Sequence, residues 1–339
     1  GAFETLRQLS CKAERKEVRL WNTGKVWKLF DLGPIAIERY GYPYLTVYRP
    51  DLLTAVSEAV LRQRDDVLHL NARVAGFEER GDKVVLTLED GRVFEGDALI
   101  GCDGVNSVIR RMTANDAPSR YPGMMIWRGV IPIEDLPERM RISMAVNWIG
   151  PNGHVVHYPL REGKIFNFAA TIERAEWDEK AWTAEGTKQQ CHEDYAGWHD
   201  DIHEMIDVSP KLLKWAYLVR DPLSHYAYSR VALLGDACHP TLPFLAQGAV
   251  MALEDGVVLA RCLEKYQDVK TALQRYEDAR LVRDNRMVAG ANEMVRHFHN
   301  PDYRDPEKAD AYINREWSAE AINARYEWLF TYNVDTVEV

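Results

Sequence analysis

VALLGDACHPTLPFLAQGAVMALEDG, residues Val231–Gly256, is the most constrained stretch of the chain. The apolar run Val231–Leu234 ends at Gly235-Asp236, a proline-punctuated turn follows, and Gln247-Gly248-Ala249 opens a helix. A short apolar run bounded by turn signals reads as a buried strand. The far end of the turn leaves the first amides of a helix without intrahelical partners. Strand, loop and helix together bring one carboxylate and one anion-friendly helix start to the same crevice. A carboxylate accepts hydroxyl hydrogens, and unpaired amides donate to electron-rich oxygens. The combination suits a polyol joined to a polar ring, although an ordinary strand, turn and helix fits the bare pattern as well.

A second strand–loop–helix lies upstream. Asp97–Cys102 (DALIGC) is mostly apolar and runs into Asp103-Gly104, followed by VNSVIR with Ser107 near a helix cap. Asp-Gly alone is usually a hairpin turn, as at Asp90-Gly91, where VVLTLED and GRVFEGD alternate on either side. Asp103-Gly104 instead ends an apolar strand and leads into a helix, at the strand end where α/β sheets bind ligands. In TVYRPDLLTAV, Pro50 and Asp51 make a sound helix start beside Arg49, with or without a ligand.

These stretches, in this order, resemble the FAD-dependent aromatic hydroxylases, the single-component flavoprotein monooxygenases typified by salicylate hydroxylase. GPNGHVVHYPLREGKIFNF, LVRDPLSHYAYSRVALLGDACHP and YEDARLVRDNR resemble further segments of that family, so the likeness runs from about Trp21 to about Phe298. The resemblance implies that Gly235-Asp236 holds the ribityl chain of FAD and that the loop to Pro243 lies beside the isoalloxazine ring. It also implies that the helix start at Gln247, Gly248 and Ala249 meets the pyrimidine edge. Asp103 and Gly104 are implied as flavin contacts, and Arg49 as an arginine that reaches the flavin. NAD(P)H is implied as a transient co-substrate beside O2. Val219 and Tyr226 depart from the family's usual acidic residue and tryptophan.

The implied fold is α/β: a Rossmann-like FAD-binding domain, N-terminally incomplete, with an inserted antiparallel-sheet substrate domain and C-terminal helices. Residues 1–121 and 220–298 are expected to form the FAD domain, 122–219 the substrate domain, and 299–339 a linker and final helix. The family's opening strand, G-x-G-x-x-G turn and helix have no counterpart in this sequence. Gly1–Ser10 reads as the tail of a helix, so the chain is expected to start just after the unit that grips the ADP half of FAD. A cleaved or shortened flavoprotein and a natural relative that lost FAD both fit that reading.

Composition sets bounds. The 339 residues, 46% hydrophobic, suffice for two domains with sizeable cores. A net charge of −10 argues against nucleic acid as a partner, because phosphate binding needs a basic face. Five scattered cysteines (Cys11, Cys102, Cys191, Cys238, Cys262) form no disulfide framework and no zinc signature, which suits a reducing cytoplasm. No metal site and no membrane span are expected, and a monomer or homodimer fits equally. Helices are expected over Pro50–Arg62, Arg174–Trp182, Thr187–Trp198, Gly248–Phe298 and Ala311–Phe330. Met124–Ile172 alternates strongly and reads as an antiparallel sheet, while His299–Asp310 reads as a linker.

Substrate chemistry can be followed to the pocket walls. Deprotonating a phenol makes its ring a better nucleophile, so a histidine–tyrosine network is the natural device. His154 and Tyr158 have the H-x-x-x-Y spacing that resembles hydroxynicotinate-type hydroxylases. Residues four apart on a strand share a face, with His157 on the other. Hydrogen-bonded sheet residues without catalytic duty fit the same spacing. Trp127, Arg128 and Asn167 are further wall candidates. The expected function is FAD-dependent hydroxylation of a small phenolic or carboxylated aromatic substrate with NAD(P)H and O2. A flavin-free relative of the scaffold, used for isomerisation, cyclisation or binding, is the alternative. Halogenation is disfavoured because the sequence holds no W-x-W-x-I-P motif.

Overall fold

The computed structural model describes residues 1–339, with the Phe30 side chain alone left undescribed. The first elements are α1 (Phe3–Leu9), β1 (Cys11–Lys12), β2 (Arg15–Leu20), β3 (Val26–Asp31), α2 (Pro34–Tyr40), β4 (Leu45–Thr46) and α3 (Arg49–Leu61). Pro34 and Pro50 lie in the first turns of α2 and α3, where a missing N–H breaks no helical bond. β5 (Val74–Arg80), β6 (Lys83–Leu88), β7 (Val93–Gly96), β8 (Leu99–Gly101) and α4 (Val108–Ala114) follow. Then come β9 (Met124–Pro132), β10 (Ala145–Gly150), β11 (Gly153–Leu160), β12 (Ile165–Glu173), β13 (Thr183–Gly186), α5 (Lys188–Asp194), α6 (Asp200–Val208) and β14 (Leu212–Ala216). The last are β15 (Ala227–Tyr228), β16 (Val231–Leu233), α7 (Gly248–Lys265), α8 (Val269–Phe298), α9 (Pro306–Glu316) and α10 (Ala319–Phe330).

Two compact units form. One comprises Gly1–Leu68, Gly123–Tyr217 and Arg296–Thr331, the other His69–Pro122, Leu218–Val295 and Tyr332–Val339. This division differs from the expected boundaries, which put 1–68 with 69–121 and set 299–339 apart. The reason is strand pairing: β2 joins the large sheet beside β10, in parallel, and carries β3 with it. Residues 296–331 belong to the same unit, where the Trp21 indole donates to the Tyr303 carbonyl.

In the first unit an eight-stranded sheet runs β13-β14-β9-β12-β11-β10-β2-β3, antiparallel except at β10–β2. Side chains alternate between its faces. One face carries Trp127, Trp148, Val155, Phe166 and Phe168, which pack with Cys191 of α5 and Ile202, Met205 and Ile206 of α6. The 202-205-206 spacing puts one apolar helix face on the sheet. Each large apolar side chain buried there contributes roughly 1.5–3 kcal/mol. The opposite face is polar and carries the candidate substrate residues.

Four stretches fold differently from expectation. Arg174–Trp182 is irregular: Arg174 pairs with Asp194, Lys214 with Glu179, and the Trp177 indole donates to the Ala181 carbonyl. Those contacts override helix-favouring composition. The unanticipated α6 starts at His199, whose ring accepts from the Asp201 amide, an N-cap residue that ordinary preferences do not flag. The supposed linker His299–Asp310 is mostly helical, because Asn300 and Asp305 act as N-caps for a short turn and for α9. Ser318 then caps α10, so the expected helix Ala311–Phe330 is two helices.

The second unit contains the sheet β15-β16-β8 and the antiparallel set β5-β6-β7. β16 and β8 are parallel, with Leu233 opposite Gly101. Gly235-Asp236 and Asp103-Gly104 therefore leave the sheet from neighbouring strands at the same, carboxyl end.

Candidate active site

Two turns of the second unit carry the candidate cofactor residues. Gly235 has φ +62° and Gly104 φ +79°, left-handed conformations that glycine adopts without steric cost. Asp236, in the short turn after Gly235, is exposed and has no hydrogen-bond or ion-pair partner among the described residues. Its carboxylate is available to hydroxyl groups. Pro243 starts the next turn, and the 18-residue α7 begins at Gly248 behind the buried Gln247. The exposed Ala249 lies in the first turn of α7, whose leading amides have no intrahelical acceptor. A free carboxylate, a left-handed glycine turn and open helix amides fit the ribityl chain and polar ring edge of a flavin.

Asp103 has a different local duty. Its carboxylate accepts from the Ser107 hydroxyl and from the Val108 and Ile109 amides, at 2.7 and 3.2 Å, and so caps α4. Arg49 is exposed at the start of α3, in the other unit, where Asp51 of the same turn is ion-paired with Arg161.

Buried ionic networks hold the turns in place. The Arg110 guanidinium, fully buried on α4, donates to the carbonyls of Cys238 (3.0 Å) and Asp221 (2.8 Å) and to the Asp116 carboxylate (2.6 Å). Asp255, on the buried face of α7, accepts from the Gly235 amide at 3.1 Å and meets His239 Nε2 at 2.6 Å. Its other oxygen accepts from Arg280 Nε at 2.7 Å, and Arg280 also donates to Asp284. Burial and the nearby Asp255 push the Asp284 carboxyl up to about 8, against the pull of His239 and Arg280. Cys238, His239 and Asp255 offer ligand atoms within 4.8 Å of one another. The Asp255 carboxylate, however, is already committed to Gly235, His239 and Arg280.

The polar face of the large sheet, in the first unit, carries the other candidate residues. His154 lies opposite Thr171, Tyr158 opposite Asn167, and Asn167 opposite Val130; Arg128 lies opposite Ala169. Cross-strand partners share a face, so His154, Tyr158, Asn167, Thr171 and Arg128 stand together. Asn147, opposite Val156, joins them. Asn147 Oδ1 and Asn167 Nδ2 are buried without a hydrogen-bond partner among the described residues. The Arg128 guanidinium lies over the Trp215 ring, 4.7 Å from its centre, and no carboxylate pairs with it among the described residues. Burial raises the Tyr158 and Tyr217 phenols, and Arg128 opposes both shifts. His154 is buried, and its Nδ1 lies 2.7 Å from His299 Nε2.

Trp127 does not stand with these residues. It lies opposite Ala170, on the helix-covered face, fully buried, with its indole donating to Asp194 at 2.7 Å. The one-residue step from Trp127 to Arg128 crosses the sheet, so of these two wall candidates only Arg128 lies on the polar face. His157 faces the core too, accepting from the Trp148 indole at 3.0 Å, and burial lowers its imidazole to about 3. Sequence reasoning missed Lys16, Asn147, Glu173 and His299. Lys16 belongs to a strand whose place in the sheet was not foreseen, and burial lowers its ammonium to about 8.

A parallel strand pair carrying an unpartnered carboxylate and a long helix start beyond its carboxyl ends is the arrangement in which α/β proteins hold nucleotide cofactors. Comparison with known proteins narrows the class. The FAD binding domain family model matches residues 7–291. The 3-amino-4-hydroxybenzoate 2-monooxygenase PtnB3 of Streptomyces platensis is 34% identical over 303 residues, covering 89% of this chain and 76% of that protein. The 6-hydroxynicotinate 3-monooxygenase of Pseudomonas fluorescens is 34% identical over 292 residues, covering 84% and 75%. Klebsiella pneumoniae HpxO, solved with FAD and uric acid, superposes with a TM-score of 0.79 at 26% identity, over 98% of this chain and 82% of that one. The chain belongs to this FAD-binding family of aromatic hydroxylases and monooxygenases. Among the described residues no helix is long and apolar enough to cross a membrane.

Proposed function

We propose that the protein hydroxylates a small aromatic ring bearing both an ionisable hydroxyl and a carboxylate, using FAD, NAD(P)H and O2. The observation that carries this reading is the polar sheet face. There Arg128, with no carboxylate partner among the described residues, stands beside His154, Tyr158 and the unpartnered amide of Asn167. A lone guanidinium matches a carboxylate bidentately. His154 and Tyr158 are suited to receive the ring hydroxyl and move its proton, which raises electron density at the carbon to be oxidised. The flavin, when bound, supplies the electron transfer and oxygen activation. Asp236, Gly235, Pro243 and the Gln247–Ala249 helix start are the residues we assign to its ribityl chain and ring, with Gly104 at the adjoining turn. Arg49 is kept as a flavin contact, and Asp103 acts by shaping its turn. Aminohydroxybenzoate and hydroxynicotinate, named for two relatives, are rings of the proposed kind. Five unpaired cysteines suit a reducing cytoplasm.

The test is reconstitution. The full-length gene product is incubated with FAD, and NAD(P)H oxidation is followed with hydroxybenzoates, aminohydroxybenzoates and hydroxynicotinates. A yellow complex whose NAD(P)H oxidation is stimulated by one of these acids, with hydroxylated product, is expected. A chain that binds FAD but responds only to uncharged rings would overturn the carboxylate assignment.

A further inference from the structure

The polar sheet face has an exit. His154 Nδ1 lies 2.7 Å from His299 Nε2, and His299 Nδ1 lies 2.9 Å from Glu173 Oε1. His154 and His299 are 3% and 4% exposed, whereas the Glu173 side chain is 42% exposed. The three residues come from β11, the segment after α8, and the end of β12, all in one unit. Phe298 packs against His154, ring centres 4.7 Å apart, and helps fix the imidazole.

With both rings neutral, the donors and acceptors allow one arrangement. A carboxylate only accepts, so His299 carries its hydrogen on Nδ1 and offers the Nε2 lone pair to His154. His154 must then carry its hydrogen on Nδ1, which leaves its own lone pair on Nε2. Glu173 thereby sets the tautomer of a histidine two links away.

We propose that His154, His299 and Glu173 form a proton relay that carries the substrate's hydroxyl proton from the sheet face to solvent. The inference rests on the proposed hydroxylation, since it supplies the acid whose proton moves. The substrate O–H bond breaks as His154 Nε2 gains the proton. The His154 Nδ1–H bond breaks as His299 Nε2 gains one, and the His299 Nδ1–H bond breaks as Glu173 takes it. Glu173 then releases the proton to water and returns to carboxylate. The net change is a phenolate on the face and a proton in solution, with no oxidant or reductant consumed. Reprotonation of the product oxygen runs the chain backward and restores both starting tautomers.

A relay also resolves a difficulty with His154 as a lone base. Burial, reinforced by the nearby Lys16 ammonium, holds its imidazolium well below the usual range. A histidine that had to store the proton would be a poor acceptor. One that passes it on through the opposite nitrogen never holds a full charge, while the Lys16 ammonium favours the phenolate left behind. Glu173, in turn, is kept ionised by its bond to His299.

The test uses the FAD-loaded protein and the variants Glu173→Gln, Glu173→Asp and His299→Gln. In Glu173→Gln the new side-chain amide oxygen can still accept from His299 but cannot take up and release a proton. Proton release on adding 6-hydroxynicotinate or 3-hydroxybenzoate is followed with a pH-indicator dye in stopped flow. Release is expected to slow by at least about tenfold in Glu173→Gln and His299→Gln, in keeping with the scale of general-base effects. Recovery is expected in Glu173→Asp. Histidine nitrogen NMR without substrate provides a second readout, with Nδ1–H expected on both rings. Unchanged release in both variants, or Nε2–H on either ring, would overturn the relay. Failure of the wild type to bind any hydroxylated acid would instead sink the proposed substrate class, and the NMR result would still judge the relay.

Discussion

Replacing Arg110 with methionine tests whether the two cofactor turns are held by one buried guanidinium. Methionine keeps much of the length and loses every donor. The substitution strands the Cys238 and Asp221 carbonyls, which now receive bonds of 3.0 and 2.8 Å inside the second unit. An unsatisfied buried carbonyl costs about 1–3 kcal/mol, which applies to Cys238, whereas water can reach the carbonyl of the exposed Asp221. Asp116 adds little, because it keeps Arg220 at 3.3 Å and is itself partly exposed. Taking about 2 kcal/mol as the centre, the thermal midpoint should fall by roughly 4–8 °C for a body of this size. Because Cys238 closes the turn that begins at Gly235, FAD should also bind more weakly at temperatures where the variant is fully folded. Circular dichroism melts and flavin fluorescence titration measure the two effects. A midpoint within about 3 °C of wild type would show that the carbonyls find other donors, and the clamp would be refuted.

Arg128→Gln should raise KM for carboxylated rings by about tenfold to a hundredfold, the scale of one charged hydrogen bond, and barely change KM for their carboxamides. Equal losses on both would remove Arg128 from carboxylate recognition. Trp127→Phe should lower stability by about 1–2 kcal/mol through the lost bond to Asp194 and leave KM unchanged in steady-state assays. A large KM effect would mean that the face assignment is wrong. For Asp284 the folded carboxyl, pushed up to about 8 by burial and Asp255, lies above its ordinary value of 3.8. The folded chain then binds the proton more tightly than the unfolded one, so this group makes stability fall as pH rises from about 4 to about 8, then level off. Asp284→Asn should flatten that slope in urea midpoints taken between about pH 5 and about pH 9, and an unchanged slope would exclude Asp284 as its source.

Local patterns in the sequence pointed to what the chain decides locally. The Gly235-Asp236 turn and the Gly248 helix start are legible because residue types with few alternatives occupy consecutive positions. Alternation along β11 and β12 put His154, Tyr158 and Asn167 on one face. The same alternation, applied to Trp127, would have sent it to the other side, but only cross-strand register tells which parity matches. Long-range partners left no local trace. Arg110 reaches Cys238 across 128 positions, and His154 reaches His299 across 145. The β2–β10 pairing was likewise invisible, since a parallel pair between distant segments carries no hairpin signal. Asn300 and Asp305 read as loop residues because capping and turning use the same side chains.

The large sheet is also a partition. On β9, Trp127 answers to the core beneath α5 and α6, while its neighbour Arg128, under the proposed function, answers to the ligand. Two requirements are thus written on one strand in alternate letters, and either can be edited without disturbing the other. A library meant to redirect the enzyme to a new ring would randomise Arg128, Val130, Val156, Asn167 and Ala169 and leave every intervening residue fixed. Most members of such a library should still fold, which makes substrate choice an independently adjustable property of this scaffold.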